Sequence, residues 1–293
     1  MPNRGFRNFN QRGGQGLDTK AFMESNSAVA RAAFVVLVLL VFIILLSFGV
    51  RVLQWYFSPS KNPKLVDGMK RADERMVVYA NPQRPEAKPI LRSDDERYGV
   101  EFTWSVWIYL SEWKDDDSGK RKHIFHKGAA DMDNSETGKG MAKYTQAPGL
   151  YLHESKNSLV VKMNTFKGLG EEVVVDDIPL HKWLNIILRV EGNILDVYIN
   201  GGIAVRHILT DPKGLGDVVK QNYGDTHINY NGGFNGLLSD LWYHNHALNT
   251  AEILKIVRDG PNLTMIADSP SSGLNVFPPY FSLRWYFGST TAR

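Results

Sequence analysis

The chain has 293 residues, 43% apolar and 11% aromatic, which is ample for a substantial core. It has no cysteine, which excludes disulfides, zinc-thiolate sites and thiol nucleophiles. The net charge of +3 arises within residues 1–31, where five basic residues meet Asp18 and Glu24, and the other 262 residues balance at 29 basic and 29 acidic; a duplex-binding surface needs a clustered basic excess, so no nucleic-acid partner is expected for the globular part.

Residues 1–31 read as a disordered N-terminal tail. Gly, Asn, Gln and Arg dominate its first part, with Phe6 and Phe9 as the only aromatics, and such a composition buries too little surface to offset ordering entropy. From Ala32 to Val50 nineteen residues carry no charge. At about 1.5 Å per residue they span roughly 28 Å, and they predict a transmembrane helix over 32–50 in contact with the lipid bilayer. Arg31 and Arg51 bracket it, and Trp55 and Tyr56 follow at the depth where amphipathic rings favour the interface. A long tail precedes the span and no small-x-small cleavage site follows, so the segment reads as a retained signal-anchor. Basic residues are about as frequent on one side as on the other. The expected orientation, N-terminus cytoplasmic and main domain on the lumenal, extracellular or virion-surface side, rests on the usual signal-anchor arrangement.

Residues 51–97 hold Pro59, Pro63, Pro82, Pro85 and Pro89 among many charges, and read as a juxtamembrane stalk with a lead-in strand after Met76. The fold proper is expected over 98–261. Phe102, Trp104, Val106, Ile108 and Leu110 alternate onto one strand face. Strand-type segments follow at 149–153, 158–165, 171–176, 183–190, 194–200, 203–209, 227–230 and 236–243. Glu191-Gly192-Asn193 and Asn200-Gly201 mark hairpins, because Gly and Asn tolerate the positive φ of tight turns. One helix is predicted late: Asn249 caps it, Glu252 completes a capping box, Ile253, Ile256 and Val257 form its apolar stripe, and Gly260-Pro261 ends it. Many strands and one short helix predict an all-β antiparallel sandwich. Residues 262–293 form a Pro- and aromatic-rich C-terminal extension.

Five stretches, in this order, carry a resemblance: FTWSVWIYL (102–110), HIFHKG (123–128), PGLYLHESKNSLVVKMN (148–164), LHKWLNIILRVEGNILDVYING (180–201) and NGGFNGLLSDLWYHNHALNTAEI (231–253). The sequence is similar to the laminin-G-like branch of the concanavalin A-like lectin/glucanase superfamily, which implies a jelly roll of two curved antiparallel sheets. With its membrane span and aromatic tail the chain also resembles membrane-anchored proteins of large DNA viruses.

Laminarinase-type members of that superfamily use a Glu-x-Asp-x-(x)-Glu strand for glycoside hydrolysis. No such spacing occurs here, and Asp196 has no carboxylate two residues to either side. No catalytic residues are therefore assigned, and a glycoside hydrolase is a remote alternative. His153-Glu154 and His244-Asn245-His246 read as turn and surface residues; Gly168-Leu169-Gly170 and Gly214-Leu215-Gly216 lack the Lys-Ser/Thr of a phosphate loop. The resemblance implies calcium at a loop-rich rim, for which Asp131, Asp133, Asn134 and Glu136 are candidates; the Asp115–Asp117 run is denser still, but Glu136 stands where a helix-loop-helix calcium loop needs glycine, and both stretches read rather as solvated acidic loops. Trp107 and Tyr109 project from the face opposite the alternating core residues and are the candidate ligand contacts, against a packing role beneath loops. Asn262-Leu263-Thr264 is a glycosylation sequon if the domain is lumenal. The expected function is a membrane-anchored, non-enzymatic recognition module for carbohydrate or a glycosylated protein. The alternative is a structural virion or membrane protein that docks on neighbouring proteins through the sandwich and Phe277–Phe287.

Overall fold

A computed structural model describes residues 28–266 except 85, 94, 97, 98, 114–118, 137 and 169, with only the backbone of 95 and 96. Most of the N-terminal tail, the Asp115–Asp117 run and the Phe277–Phe287 segment lie outside the described residues. The chain divides into two compact units, one ending at Ser58 and the other starting at Pro59.

The first unit contains helix α1 (Ala28–Phe57), 30 residues with no buried side chain. It is apolar on all sides, as only a helix in an apolar surround sustains, and is long and apolar enough to cross a membrane. It is longer than the uncharged run at both ends, reaching about 45 Å against a hydrocarbon core of about 30 Å. Arg31 and Arg51 both lie within it, and Trp55, Tyr56 and Phe57 are exposed in its last turn.

The second unit begins with β1 (Met69–Arg71), β2 (Met76–Val78), β3 (Asp95–Glu96), β4 (Gly99–Leu110) and β5 (Lys122–Gly128). It continues through β6 (Gln146–Leu152), β7 (Ser158–Met163), β8 (Glu171–Asp176), β9 (Trp183–Glu191) and β10 (Ile194–Ile199). It ends with β11 (Gly202–Ile208), β12 (Asp225–Ile228), β13 (Gly236–His244) and helix α2 (Thr250–Asp259). Two antiparallel sheets result. The first runs β1-β13-β4-β9-β10-β11 with β3 beside β4, and the second runs β2-β12-β5-β6-β7-β8.

The core lies between them. Phe102, Trp104, Val106, Ile108 and Leu110 all face it, as the alternation predicts. Trp104 packs 5.4 Å from Phe125 of the second sheet and 5.1 Å from Tyr243 of the first, ring centre to ring centre. Both predicted hairpins form, with φ of 61° at Gly192, 51° at Asn200 and 84° at Gly201.

The lead-in strand expected after Met76 is β2, but it is not preceded by a separate stalk. Residues 51–57 continue α1, and from Leu65 onward the segment is part of the body: β1 pairs with β13 and β2 with β12. Leu65 and Val66 are each 1% exposed and Ala72 is 0%, so they contribute to the core despite the prolines around them. The expected boundary at Pro261 also moves outward, because Met265 bridges Met69 and Ile266 packs on the core.

Candidate functional site

The outer face of the first sheet owes its shape to a bulge. Asp240 has φ 49°, and the pairing of β13 with β4 shifts between Ser239 and Trp242. Leu238, Leu241 and Tyr243 therefore all reach the core, while Ser239, Trp242 and His244 stand outside, opposite Trp107, Ser105 and Thr103 of β4. Thr103 fixes the next turn, since its hydroxyl donates to the His246 carbonyl at 3.0 Å and accepts from the Leu248 amide at 3.0 Å. That turn delivers α2, whose capping box forms as predicted: Asn249 accepts from the Glu252 amide and Glu252 from the Asn249 amide. Ile253 then packs on Ile187, Tyr198 and Leu248 and covers that part of the face.

Between α2 and the segment around Lys64 a groove of about 370 Å³ remains open, lined by Trp107, Trp242, His244, His246, Lys64 and Glu252 among others. The Trp242 indole N–H donates to the Asn62 carbonyl at 3.0 Å, which fixes the ring. Lys64 sits 5.5 Å from that ring and pairs with Asp240 at 2.8 Å and Asp67 at 3.0 Å. Partial burial works against the Lys64 charge, but its bonds to these two carboxylates prevail and hold its pKa above the ordinary value.

His244 is 6% exposed, and its Nε2 has no hydrogen-bond partner. Burial, with His246 beside it, pushes its pKa down to about 4 against the pull of Glu252, so the ring is neutral at pH 7. A buried polar atom left unpaired costs about 1–3 kcal/mol, which a hydrogen-bonding ligand would recover. The outer face of the second sheet is closed by comparison. There His123, His126 and His227 are buried too, but each of their ring nitrogens has a partner within the protein.

Trp107 lies in this groove, but at 6% exposure it is floor rather than an open platform. Tyr109 is outside the groove, half-buried at 5.7 Å from Trp183. Trp242, His244 and His246 also line the groove or its edge, and the reading of His244-Asn245-His246 as surface turn residues holds for half-exposed His246 but is corrected for the other two: His244 ends β13, and Asn245 is 3% exposed. Their signal in the sequence was hidden, since the bulge at Asp240 breaks the period-two pattern.

Asp131, Asp133, Asn134 and Glu136 follow β5. Asp133 Oδ1 accepts from the Ser135 amide at 2.8 Å, and the Ser135 backbone and hydroxyl hold the Asp133 carboxyl below its usual range. Among the described residues no group of three or more His, Cys, Asp or Glu is placed to hold a metal ion. The Asn262 side chain donates to Asp67 at 3.2 Å and accepts from the Thr264 amide at 3.0 Å. Asp196 is fully buried and bound by Arg206 at 2.6 Å and Arg189 at 3.2 Å, a partnership of β9, β10 and β11 invisible in the linear pattern. His153 Nδ1 accepts from the amides of Ser155 and Lys156 within a turn.

A laminin G family model, described as the concanavalin A-like lectin/glucanases superfamily, matches residues 90–254, more than half of the chain. Curated proteins give no match. Among solved structures the chain is similar to the binding domain of Paraclostridial Mosquitocidal Protein 1, at 16% identity and a TM-score of 0.42 over 67% of this chain and 47% of that one. It is similar also to the botulinum neurotoxin serotype D ligand binding domain in complex with N-acetylneuraminic acid, at 13% identity and TM-score 0.44 over 68% and 42%. The receptor binding domain of botulinum neurotoxin C/D mosaic serotype matches at 12% identity and TM-score 0.40 over 55% and 36%. The chain spans less than half the length of each of these three.

Proposed function

This chain belongs to the concanavalin A-like lectin/glucanase superfamily, and from that premise we propose that it is a binding module, tethered to a membrane by α1, that takes carbohydrate into the groove beside α2. The observation that carries the reading is the unpartnered Nε2 of His244, buried beside the Trp242 ring at 4.7 Å between ring centres. A sugar offers an apolar ring face to an indole and a hydroxyl to an imidazole nitrogen, so one ligand serves both. Two carboxylates poised across a glycosidic bond are what hydrolysis needs. Three carboxylates line the groove, and each has a partner: Asp240 has Lys64 and the Asn262 amide, Glu252 the cap of α2, and Asp259 the neighbouring Arg258 at 4.0 Å. Binding without turnover follows. Helix α1, apolar on every side, supports the tether; the N-terminus is placed in the cytoplasm by the usual signal-anchor arrangement alone.

The test is a glycan array probed with the full-length chain in phosphatidylcholine nanodiscs, with and without calcium. We expect retention of a defined glycan set and its loss in Trp242→Ala. Retention unchanged by that substitution would move the site elsewhere, and no retention at millimolar sugar would remove the carbohydrate reading.

A further inference from the structure

Away from the groove, the sandwich opens at one end between its sheets. The inner faces there wall a cavity of about 160 Å³. Phe102, Trp104 and Tyr243 line it from the first sheet, Ala147 from the second, and Val219 from the connection after β11; all are buried. Phe166 and Tyr223 also line it yet are 60% and 86% exposed, which places them at its mouth.

The charges at this cavity have one sign. Arg92, Lys127 and Lys220 line it, and no Asp or Glu does among the described residues. Lys127 is 6% exposed and donates only to neutral oxygens, the Asn222 carbonyl, Asn222 Oδ1 at 3.4 Å and the Gly224 carbonyl at 3.1 Å. Burial lowers its pKa to about 8, with the nearby Asp225 acting the other way, so it is still mostly charged at pH 7. Arg92 and Lys220 are exposed and have no ion pair among the described residues.

We propose that this cavity is a second ligand site, for a small monocarboxylate whose tail is about the size of one aromatic ring. The ring enters between Phe102, Trp104 and Val219, and the carboxylate stays at the mouth among the three cations. The volume sets the tail: an apolar cavity of about 150 Å³ accepts benzene. The charge sets the head, because a buried cation whose hydrogen bonds all go to neutral oxygens gains from an anion placed beside it. This site shares no residue with the carbohydrate groove, and either can fail without the other.

Saturation-transfer NMR on the full-length chain in phosphatidylcholine nanodiscs, with empty discs as blank, tests it with three probes of one shape: 3-phenylpropanoate, 3-phenylpropan-1-ol and 3-phenylpropylammonium. The carboxylate should bind at least about tenfold more tightly than the ammonium. Val219→Phe fills the cavity and should weaken carboxylate binding by about tenfold or more at an unchanged melting temperature. Lys220→Glu, on an exposed side chain, should weaken it several-fold and leave folding alone. Equal binding of the three probes, absence of carboxylate binding at millimolar concentration, or wild-type affinity in Val219→Phe overturns the proposal. Should Val219→Phe not fold, Lys220→Glu decides, and an unchanged affinity there is equally fatal.

Discussion

His123 Nε2 lies 2.6 Å from His126 Nδ1, one hydrogen bond between two buried imidazoles on the same strand. A bulge makes it possible: Ile124 and Phe125 both turn to the core, so residues three apart share the outer face. The partners assign the protons. The Ala129 carbonyl can only accept, so His126 donates to it from Nε2 and accepts at Nδ1; His123 then donates from Nε2 and accepts the Tyr230 amide at Nδ1. His227 donates to the Gly128 carbonyl and accepts the Tyr230 hydroxyl, whose oxygen accepts from Arg75 at 2.6 Å. Three neutral rings use every nitrogen, and an added proton finds no acceptor.

Acid should therefore loosen this face. Burial, then the neighbouring imidazoles, holds His123 well below the usual histidine range; burial brings His126 to about 4 and lowers His227 as well. Between about pH 6.5 and 4 the unfolded chain binds protons that the folded chain refuses, so stability is full above that window and falls as pH falls through it. His126 alone removes up to about 1.4 kcal/mol per pH unit across this window, and His123 and His227 act in the same direction. Thermal melts followed by circular dichroism should show the decline, and a melting temperature flat from about pH 7 to about pH 5 would break the proton assignment.

Asp196 should be far less tolerant than its partner. Its carboxylate is fully buried between Arg189 and Arg206, while the Arg206 side chain is 57% exposed. Asp196→Ala leaves two arginines facing each other and should cost about 3–5 kcal/mol by urea denaturation. Arg206→Ala keeps the Arg189 pair and should cost less than about 1 kcal/mol. Equal costs would mean that the Arg206 contact carries the interaction.

The two tryptophans should separate stability from recognition. Trp104→Ala empties a site between Phe125 and Tyr243 and should lower stability by about 3–5 kcal/mol. Trp242→Ala acts in the half-buried groove wall, with a smaller stability cost and loss of glycan retention. Denaturation curves and array binding on the same preparations distinguish the two outcomes.

Asn249→Ala should remove the capping box and destabilise the protein by about 1 kcal/mol. Because α2 covers Ile187 and Tyr198, amide exchange at those strands should rise with it. Protection unchanged in β9 and β10 would show that the helix cap is not what holds the cover in place.

Much of the sheet structure was legible because its causes are local. The alternation of Phe102 to Leu110, the Asn200-Gly201 turn and the Asn249/Glu252 box each bring their own geometry, and β8 begins and ends where its pattern does. Of the lead-in strands, β2 falls at the expected place after Met76, whereas β1 was not read. Three-residue strands between prolines have no period to read, and β1 and β2 are defined by their partners β13 and β12, more than 140 residues away.

The sequence by itself determined an apolar rod, an antiparallel sandwich and its late helix, since hydropathy, period two and capping chemistry act within a few residues. Tertiary structure alone decided where chemistry gathers. The bulge at Asp240 turns Trp242 and His244 outward, the bulge in β5 joins His123 to His126, and pairing across β9, β10 and β11 buries Asp196 between two arginines. A single extra residue in a strand reverses which face its neighbours occupy, and whether it is extra depends on the partner strand, which the linear order does not reveal.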